Sequence, residues 1–246
     1  MANRRALLAK EFSGAGSLDR KLLDRIIAVS QTLHTLGSFS PRALEIIARH
    51  LSSRPIQHSM ETGCGVSTLI LSNLSPDHTV FALDRGGSIA NTKSSELFDP
   101  ATTTFVEGPT QKTLPSYEFR NKLQVALLDG PHAFPFPQLE YYYVYPHLEE
   151  GALLIIDNMW MPSIHDLFEV LKADDMFRLV DVVNWTAFFR RTSAPVFDPW
   201  GDGFWLQKYN RRIVVHEMLK ERINRPPSDI LRAIVHYAKL KLGHST

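Results

Sequence analysis

The chain predicts an α/β protein built on a doubly wound sheet, and three features of its 246 residues carry that expectation. Five short apolar segments, at 56–60, 79–83, 103–106, 123–128 and 152–156, each run out into polar or glycine residues. The stretches around them read as helices, at 67–74, 136–148 and, after the last segment, 164–171. The runs VALL and ALLII are continuous rather than alternating, as in parallel strands buried on both faces. Strands that alternate with helices make such a sheet, and its ligands sit outside the carboxyl ends of the strands.

Before the first strand, residues 18–36 carry Leu22, Leu23, Ile26, Ile27 and Val29 at helical spacing, with Ser17 placed to cap them. SFSPRALEIIARHL gives a second helix, with Ser40 as cap and Pro41 at its first position. Beyond Asp174, residues 177–189 and 203–209 are strand-like, which brings the sheet to about seven strands, mostly parallel. The turn-rich RRTSAPVFDPWGDG lies between them. The tail is helical, breaks at NRPPSD and resumes at 230–242 with Ile230, Ile234 and Tyr237 on one face. That terminal helix packs on its own domain, or serves as a homo-oligomer contact or part of a lid. The expected organisation is one domain over 1–246: N-terminal helices in 1–55, the α/β core in 56–209 and a helical tail in 210–246.

Composition narrows the function classes. Hydrophobic content of 44% and charged content of 22% are ordinary for a globular protein. The net charge of +1 provides no strong field for nucleic acid or an anionic membrane, so neither is an expected partner. Cys64 is the only cysteine, which rules out an intrachain disulfide. No apolar run reaches the roughly 20 residues of a membrane span, and the N-terminus lacks a signal-peptide core, so a cytoplasmic protein is expected.

The segment SMETGCGVSTLIL raises the question of a ligand, because Gly63 and Gly65 interrupt two apolar runs. Glycines let a backbone turn sharply and approach a bound molecule closely. On this reading Gly63 is replaceable without unfolding, at the expense of ligand affinity. No Gly-Lys-Ser/Thr follows, so this is not a phosphate-binding P-loop, and the third glycine of a dinucleotide loop is missing. The next strand ends in VFALDRG, placing Asp84 about 20 residues after the first glycine, where a carboxylate suits ribose hydroxyls. A helix-capping or turn aspartate is the competing reading.

With these residues in place, the region from 56 to 207 resembles the class I S-adenosylmethionine-dependent methyltransferases, and the expected sheet becomes their Rossmann-like one. The resemblance implies that Glu61, Gly63, Gly65, Ser67, Thr68, Asp84 and Arg85 contact S-adenosylmethionine. VEGPTQKTLP is similar to the adenine-facing segment of catechol-type O-methyltransferases, which carries over to Thr110 and Gln111; a plain turn is the alternative. VALLDGPHAF and ALLIIDNMWMP place Asp129 at the fourth strand end and Asp157 and Asn158 at the fifth. Adjacent strands lie about 4.8 Å apart, so these oxygens can converge as a hard shell for Mg2+ or another divalent cation. The resemblance also lets Asp129 serve the cofactor side. Simple capping of the following helices is the rival for both carboxylates.

His132, three residues beyond Asp129, falls where the related metal-dependent enzymes carry a basic catalytic residue. An imidazole can take a proton from a hydroxyl at neutral pH. Together these residues imply methyl transfer from S-adenosylmethionine to a hydroxylated small-molecule acceptor, with a divalent metal assisting. The alternatives are a metal-independent N- or C-methyltransferase and a non-catalytic S-adenosylmethionine-binding scaffold. Trp160, Trp185, Phe188, Phe189 and Trp200 are candidates for an acceptor wall, or for the core.

Overall fold

The computed structural model describes residues 18–33, 39–196, 207–210, 228, 231–232 and 235. Two helices come first, α1 (Arg20–Leu33) and α2 (Pro41–Leu51). The core then runs β1 (His58–Thr62), α3 (Val66–Ser72), β2 (Asp77–Ala82), α4 (Ser88–Ser94), β3 (Thr103–Glu107), α5 (Thr110–Thr113), β4 (Leu123–Leu128) and α6 (Phe136–Val144). It closes with β5 (Leu148–Ile156), α7 (Pro162–Ala173), β6 (Phe177–Val183) and β7 (Thr186–Arg191).

These strands form one seven-stranded sheet in the order β3-β2-β1-β4-β5-β7-β6. The first five are parallel. Strand β7 runs antiparallel between β5 and β6. The continuous apolar runs are explained by burial on both faces. Val125, Leu127, Leu153, Ile155 and Phe188 enter one core cluster, with Leu23, Ile26, Leu44, Ile47 and Leu69 of the N-terminal helices and α3. Their neighbours Ala126, Leu128, Leu154, Ile156 and Phe189 enter a second cluster, with Val144, Ile164, Leu167 and Leu171 of α6 and α7. Each such side chain gains about 1.5–3 kcal/mol by leaving water, so the two-sided pattern fixes register as well as stability.

Ser40 caps α2 as expected: its Oγ accepts the Ala43 N–H at 3.1 Å, with Pro41 in the first turn. Ser17 lies outside the described residues; α1 instead starts beyond Asp19, whose carbonyl accepts the Leu23 N–H at 3.0 Å. The segment 177–189 is a hairpin of two strands rather than one. Asn184 turns it with φ 54°, a left-handed conformation that asparagine tolerates better than most residues. That hairpin supplies the seventh strand. Of the strand expected at 203–209, residues 203–206 lie outside the described set, and Lys208–Asn210 is helical. Most of the tail expected at 210–246 also lies outside it; Ser228, Leu231, Arg232 and Val235 are helical. The short helices α4 and α5 were not expected, being polar and under two turns long.

The strand order reverses between β1 and β4, which makes their carboxyl ends the switch point of the sheet. Gly63, the first residue after β1, has φ +79°, and its N–H donates to the Phe81 carbonyl at 2.9 Å. A Cβ there would overlap the Asp129 carbonyl oxygen and approach its carbon to 3.2 Å. The obstacle is backbone of the neighbouring strand, not a bound molecule. Gly63→Ala is therefore expected to destabilise the fold by about 2 kcal/mol or more, from left-handed strain and overpacking together. Denaturant titration reads this directly, and an unchanged midpoint would show that the two loops can separate at little cost. The expectation that Gly63 is replaceable without unfolding is thereby corrected.

Candidate functional site

The strand ends around the switch point enclose a cavity of about 1090 Å3. Its wall runs from Arg85, Gly86 and Ser88 after β2, past Gly63 and Cys64, to Pro109, Thr110 and Gln111 after β3. It continues through Asp129–Ala133 and Phe136 to Asn158, Trp160 and Met161. Of the residues expected at the cofactor, Gly63, Arg85, Thr110, Gln111 and Asp129 therefore face one space. Glu61, Gly65, Ser67, Thr68 and Asp84 do not line it.

Glu61 is fully buried. Its carboxylate accepts hydrogen bonds from Ser67 Oγ at 2.6 Å and from Thr68 Oγ1, and pairs with His78 Nε2 at 3.1 Å. His78 Nδ1 is in turn 2.8 Å from Ser59 Oγ. Thr68 Oγ1 also accepts the Gly65 N–H at 2.9 Å. Glu61 thus ties the first turn of α3 and the Gly65 backbone together beneath the cavity, and Ser67 and Thr68 take part in the same hydrogen bonds.

Asp84 is exposed between Leu83 and Arg85, both of which line the cavity. Its Oδ1 accepts the Ile89 N–H at 3.1 Å, so it does perform the turn role weighed for it. Thr110 is buried at the start of α5 and Gln111 is exposed beside it.

At the ends of β4 and β5 the expected cluster is assembled. His132 Nε2 lies 3.1 Å from Asp129 Oδ1. Asn158 Nδ2 donates to Asp129 Oδ1 at 3.3 Å and to Asp157 Oδ2 at 3.1 Å, and Asp157 Oδ1 accepts from Thr186 Oγ1. Asn158 holds φ 61°, while Trp160 Nε1 donates to its Oδ1 at 3.3 Å. The Ser163 hydroxyl donates to the His132 carbonyl, tying this loop to α7. Burial pushes the Asp157 carboxyl up to about 7, with the nearby Asp129 charge adding to it. Asp129 is also raised, chiefly by burial and against the hydrogen bond from His132. That same bond is the main cause of the raised His132 pKa, so the imidazolium persists above its ordinary range.

Two buried carboxylates around a single amide nitrogen, the charge of Asp129 raising the pKa of Asp157, suit a cation. Among the described residues no group of three or more His, Cys, Asp or Glu is arranged to hold a metal. The donor set here has two carboxylates and a carboxamide. It fits a hard divalent ion once Asn158 turns its Oδ1 toward the carboxylates, at the expense of the Trp160 hydrogen bond.

Sequence reasoning missed Glu140, Thr62 and Thr186. Glu140 is 2% exposed, on the α6 face shared with Pro137 and Val144, and accepts from Thr62 Oγ1 at 2.7 Å. Burial pushes its carboxyl up to about 7, opposed by the Thr110 and Thr62 hydroxyls. The available signal was the helical spacing in FPQLEYYYV, which puts this glutamate on the inward stripe.

Residues 60–159 match a family model described as a methyltransferase domain. Several solved structures share the fold of this chain. The O-methyltransferase TomG from Streptomyces achromogenes, involved in tomaymycin synthesis and solved with S-adenosylmethionine, is 13% identical with a TM-score of 0.53. That match covers 72% of this chain and 92% of TomG. The O-methyltransferase from Bacillus cereus, in complex with S-adenosylhomocysteine, is 14% identical with a TM-score of 0.53, over 71% and 92% of the two chains. The S-adenosylhomocysteine-bound methyltransferase PaMTH1 from Podospora anserina is 13% identical with a TM-score of 0.54, over 78% and 96%. No curated protein matches the sequence. Among the described residues no helix is long and apolar enough to cross a membrane.

The raised Glu140 pKa has a consequence for stability. The folded value of about 7 lies above the ordinary 4.5, so the folded state holds the proton more tightly than the unfolded chain. Stability from this group is full below about pH 4.5 and is lost as pH rises toward 7, on the order of 3 kcal/mol in all. In Glu140→Gln that contribution is absent. Denaturant midpoints in EDTA, measured between pH 4.5 and 7.5, are expected to fall more steeply for wild type than for the variant; parallel curves would contradict the burial cost.

Proposed function

We propose that the chain transfers the methyl group of S-adenosylmethionine to a hydroxyl of a small molecule, with a divalent cation held by Asp129, Asp157 and Asn158. The observation that carries this reading is the convergence of His132, Asp129, Asp157 and Asn158 beside the cavity that Gly63, Arg85 and Gln111 also border. At about 1090 Å3 that cavity exceeds the roughly 300–1,000 Å3 of ordinary ligand pockets, giving room for donor and acceptor together.

The sulfonium of S-adenosylmethionine supplies an activated methyl group, which leaves orientation and electrostatics to the protein. A bound divalent cation supplies Lewis acidity that lowers the pKa of the acceptor hydroxyl. Asp84 offers its second carboxylate oxygen to the ribose at the β2 end, and Gln111 its amide to the adenine. Glu61, through Ser67 and Thr68, keeps the Gly63–Gly65 backbone in place. Pro131, Ala133, Phe136, Trp160 and Met161 give the acceptor side an apolar wall. His132 takes the hydroxyl proton: the Nε2–H tautomer that bonds to Asp129 leaves Nδ1 with the lone pair.

A second reading, metal-independent transfer to nitrogen or carbon, is favoured by one contact. The Asn158 amide nitrogen already bridges both carboxylates, as a neutral substitute for a cation.

With a panel of hydroxylated acceptors and labelled methyl donor, turnover is expected to fall at least tenfold in EDTA and to return with Mg2+. Full activity in EDTA would remove the metal from the reading, and no transfer to any hydroxyl would remove the O-methylation assignment. His132→Gln is expected to lower kcat by about 10²–10⁴-fold with cofactor affinity near wild type. In wild type the acidic limb of the pH–rate profile is expected above the ordinary histidine value, because the Asp129 hydrogen bond favours imidazolium. A limb that survives in His132→Gln would assign it to another group. Asp84→Ala is expected to weaken cofactor binding by about 1.5–3 kcal/mol in titration calorimetry, and an unchanged affinity would remove the ribose role.

A further inference from the structure

Glu140 is the buried acid that this mechanism leaves unused. It comes from α6, outside the strand-end loops that carry the other site residues, and it lies under them. Thr62, the last residue of β1, donates its hydroxyl to Glu140 Oε2 at 2.7 Å and accepts the Asp129 N–H at 3.1 Å. One unbroken chain therefore runs from the Asp129 backbone through Thr62 to Glu140. The hydroxyl can serve both neighbours only with its proton turned toward the carboxyl.

The backbone beside it is shaped to admit this acid. A Cβ on Gly130 would come within 2.7 Å of Glu140 Cδ, so the carboxyl fills the place a side chain at 130 would take. Oε1 and the neighbouring Thr110 hydroxyl, which eases the carboxyl's charge, are both buried, and neither makes a hydrogen bond of ordinary length. A carboxyl in such a place costs free energy that an apolar or amide side chain would largely avoid, which sets it apart from ordinary core filling.

We propose that Glu140 is a positioning residue which, through Thr62, fixes the backbone from which Asp129 and His132 project. This rests on the methyl-transfer reading for its effect on rate, but not for its effect on the loop. Asp129 and His132 are joined at 3.1 Å, so a displacement of the Asp129 peptide moves both groups. Misplacement of a catalytic group by about 1 Å can cost on the order of a hundredfold in rate.

The test uses Glu140→Ala, Glu140→Gln, Thr62→Val and Thr62→Ser, and the pair Thr62→Val/Glu140→Ala. Amide hydrogen exchange at Asp129 and His132 is read against Ala126 and Leu127 of the same strand. Glu140→Ala is expected to speed exchange at Asp129 and His132 about tenfold or more, leaving Ala126 and Leu127 unchanged. Its kcat is expected to fall about 10–100-fold with the KM for S-adenosylmethionine within about threefold of wild type. Thr62→Val should reproduce the kcat loss, and the double variant should be no worse than either single, because both cut one chain. Glu140→Gln and Thr62→Ser keep the hydrogen bonds and should restore kcat to within about threefold.

Unchanged exchange at Asp129 and His132 in Glu140→Ala, or multiplying losses in the double variant, would overturn the proposal. Should Glu140→Ala fail to fold, exchange in Glu140→Gln and Thr62→Ser against Thr62→Val decides it: protection kept in the first two and lost at His132 in the third supports the chain, and any other pattern rejects it. Absence of methyl transfer by wild type would instead remove the functional reading, while the exchange data would still decide whether Glu140 holds the loop.

Discussion

The contact on which the rest of the molecule depends is the backbone approach of Gly63 to Asp129 across the switch point of the sheet. A side chain at 63 would occupy the space of the Asp129 carbonyl. The loops that leave β1 and β4 thereby pass with no room for a side chain between them at this point. Everything of functional interest follows from that closeness. The loop after β1 borders the cavity on one side, the Asp129–His132 loop borders it on the other, and neither can be reorganised without the other. The glycine that seemed to announce a ligand is required first by the neighbouring strand.

Around this contact the protein places polar groups in what is otherwise an apolar interior. Glu61 and His78 are both fully buried and joined at 3.1 Å, with Ser59, Ser67 and Thr68 completing their hydrogen bonds. Glu140 and Thr62 form a second group below the switch point. Buried charges of this kind add little net stability, since desolvation offsets most of their attraction. Their hydrogen bonds reach the site loops: the Glu61 group bonds to the loop after β1, and the Glu140 group, through Thr62, to the backbone after β4. The raised pKa values of Asp129, Asp157 and Glu140 all have burial as their leading cause, and the Asp129 charge adds to the rise at Asp157 and at Glu140. Such a region favours whatever brings positive charge to the strand ends.

Much of this was legible in the sequence, for identifiable reasons. Strand β4 was read with both its ends correct because LQVALL is apolar on both faces and bounded by polar residues. Strand β5 was read too short, since Glu149, Glu150 and Gly151 interrupt the apolar signal while the backbone still pairs with β4. The hairpin within 177–189 was hidden because its turn, at Asn184, lacks the glycine or proline that punctuates most turns. The gathering of Asp129, His132, Asp157 and Asn158 was legible because each sits at or just beyond a strand end, where position implies convergence. The full burial of Glu61 was not legible, because a motif records which residue is present, not where its side chain points. Glu140 was overlooked for a related reason: helical spacing put it on an inward stripe, but only the packing of α6 brings it beneath Gly130.

The central claim is that the switch-point cavity holds the methyl donor against the Gly63 loop while Asp129, Asp157 and Asn158 hold a divalent cation beside the acceptor. A crystal structure of the protein grown with S-adenosylhomocysteine and Mn2+, with anomalous scattering recorded at the manganese edge, tests it most directly. The account predicts one anomalous peak about 2.0–2.3 Å from oxygens of all three residues, with nucleoside density between Arg85 and Gln111. Nucleoside density in that place with no manganese at the carboxylates would contradict the metal half of the claim. Nucleoside bound anywhere else would contradict the whole of it.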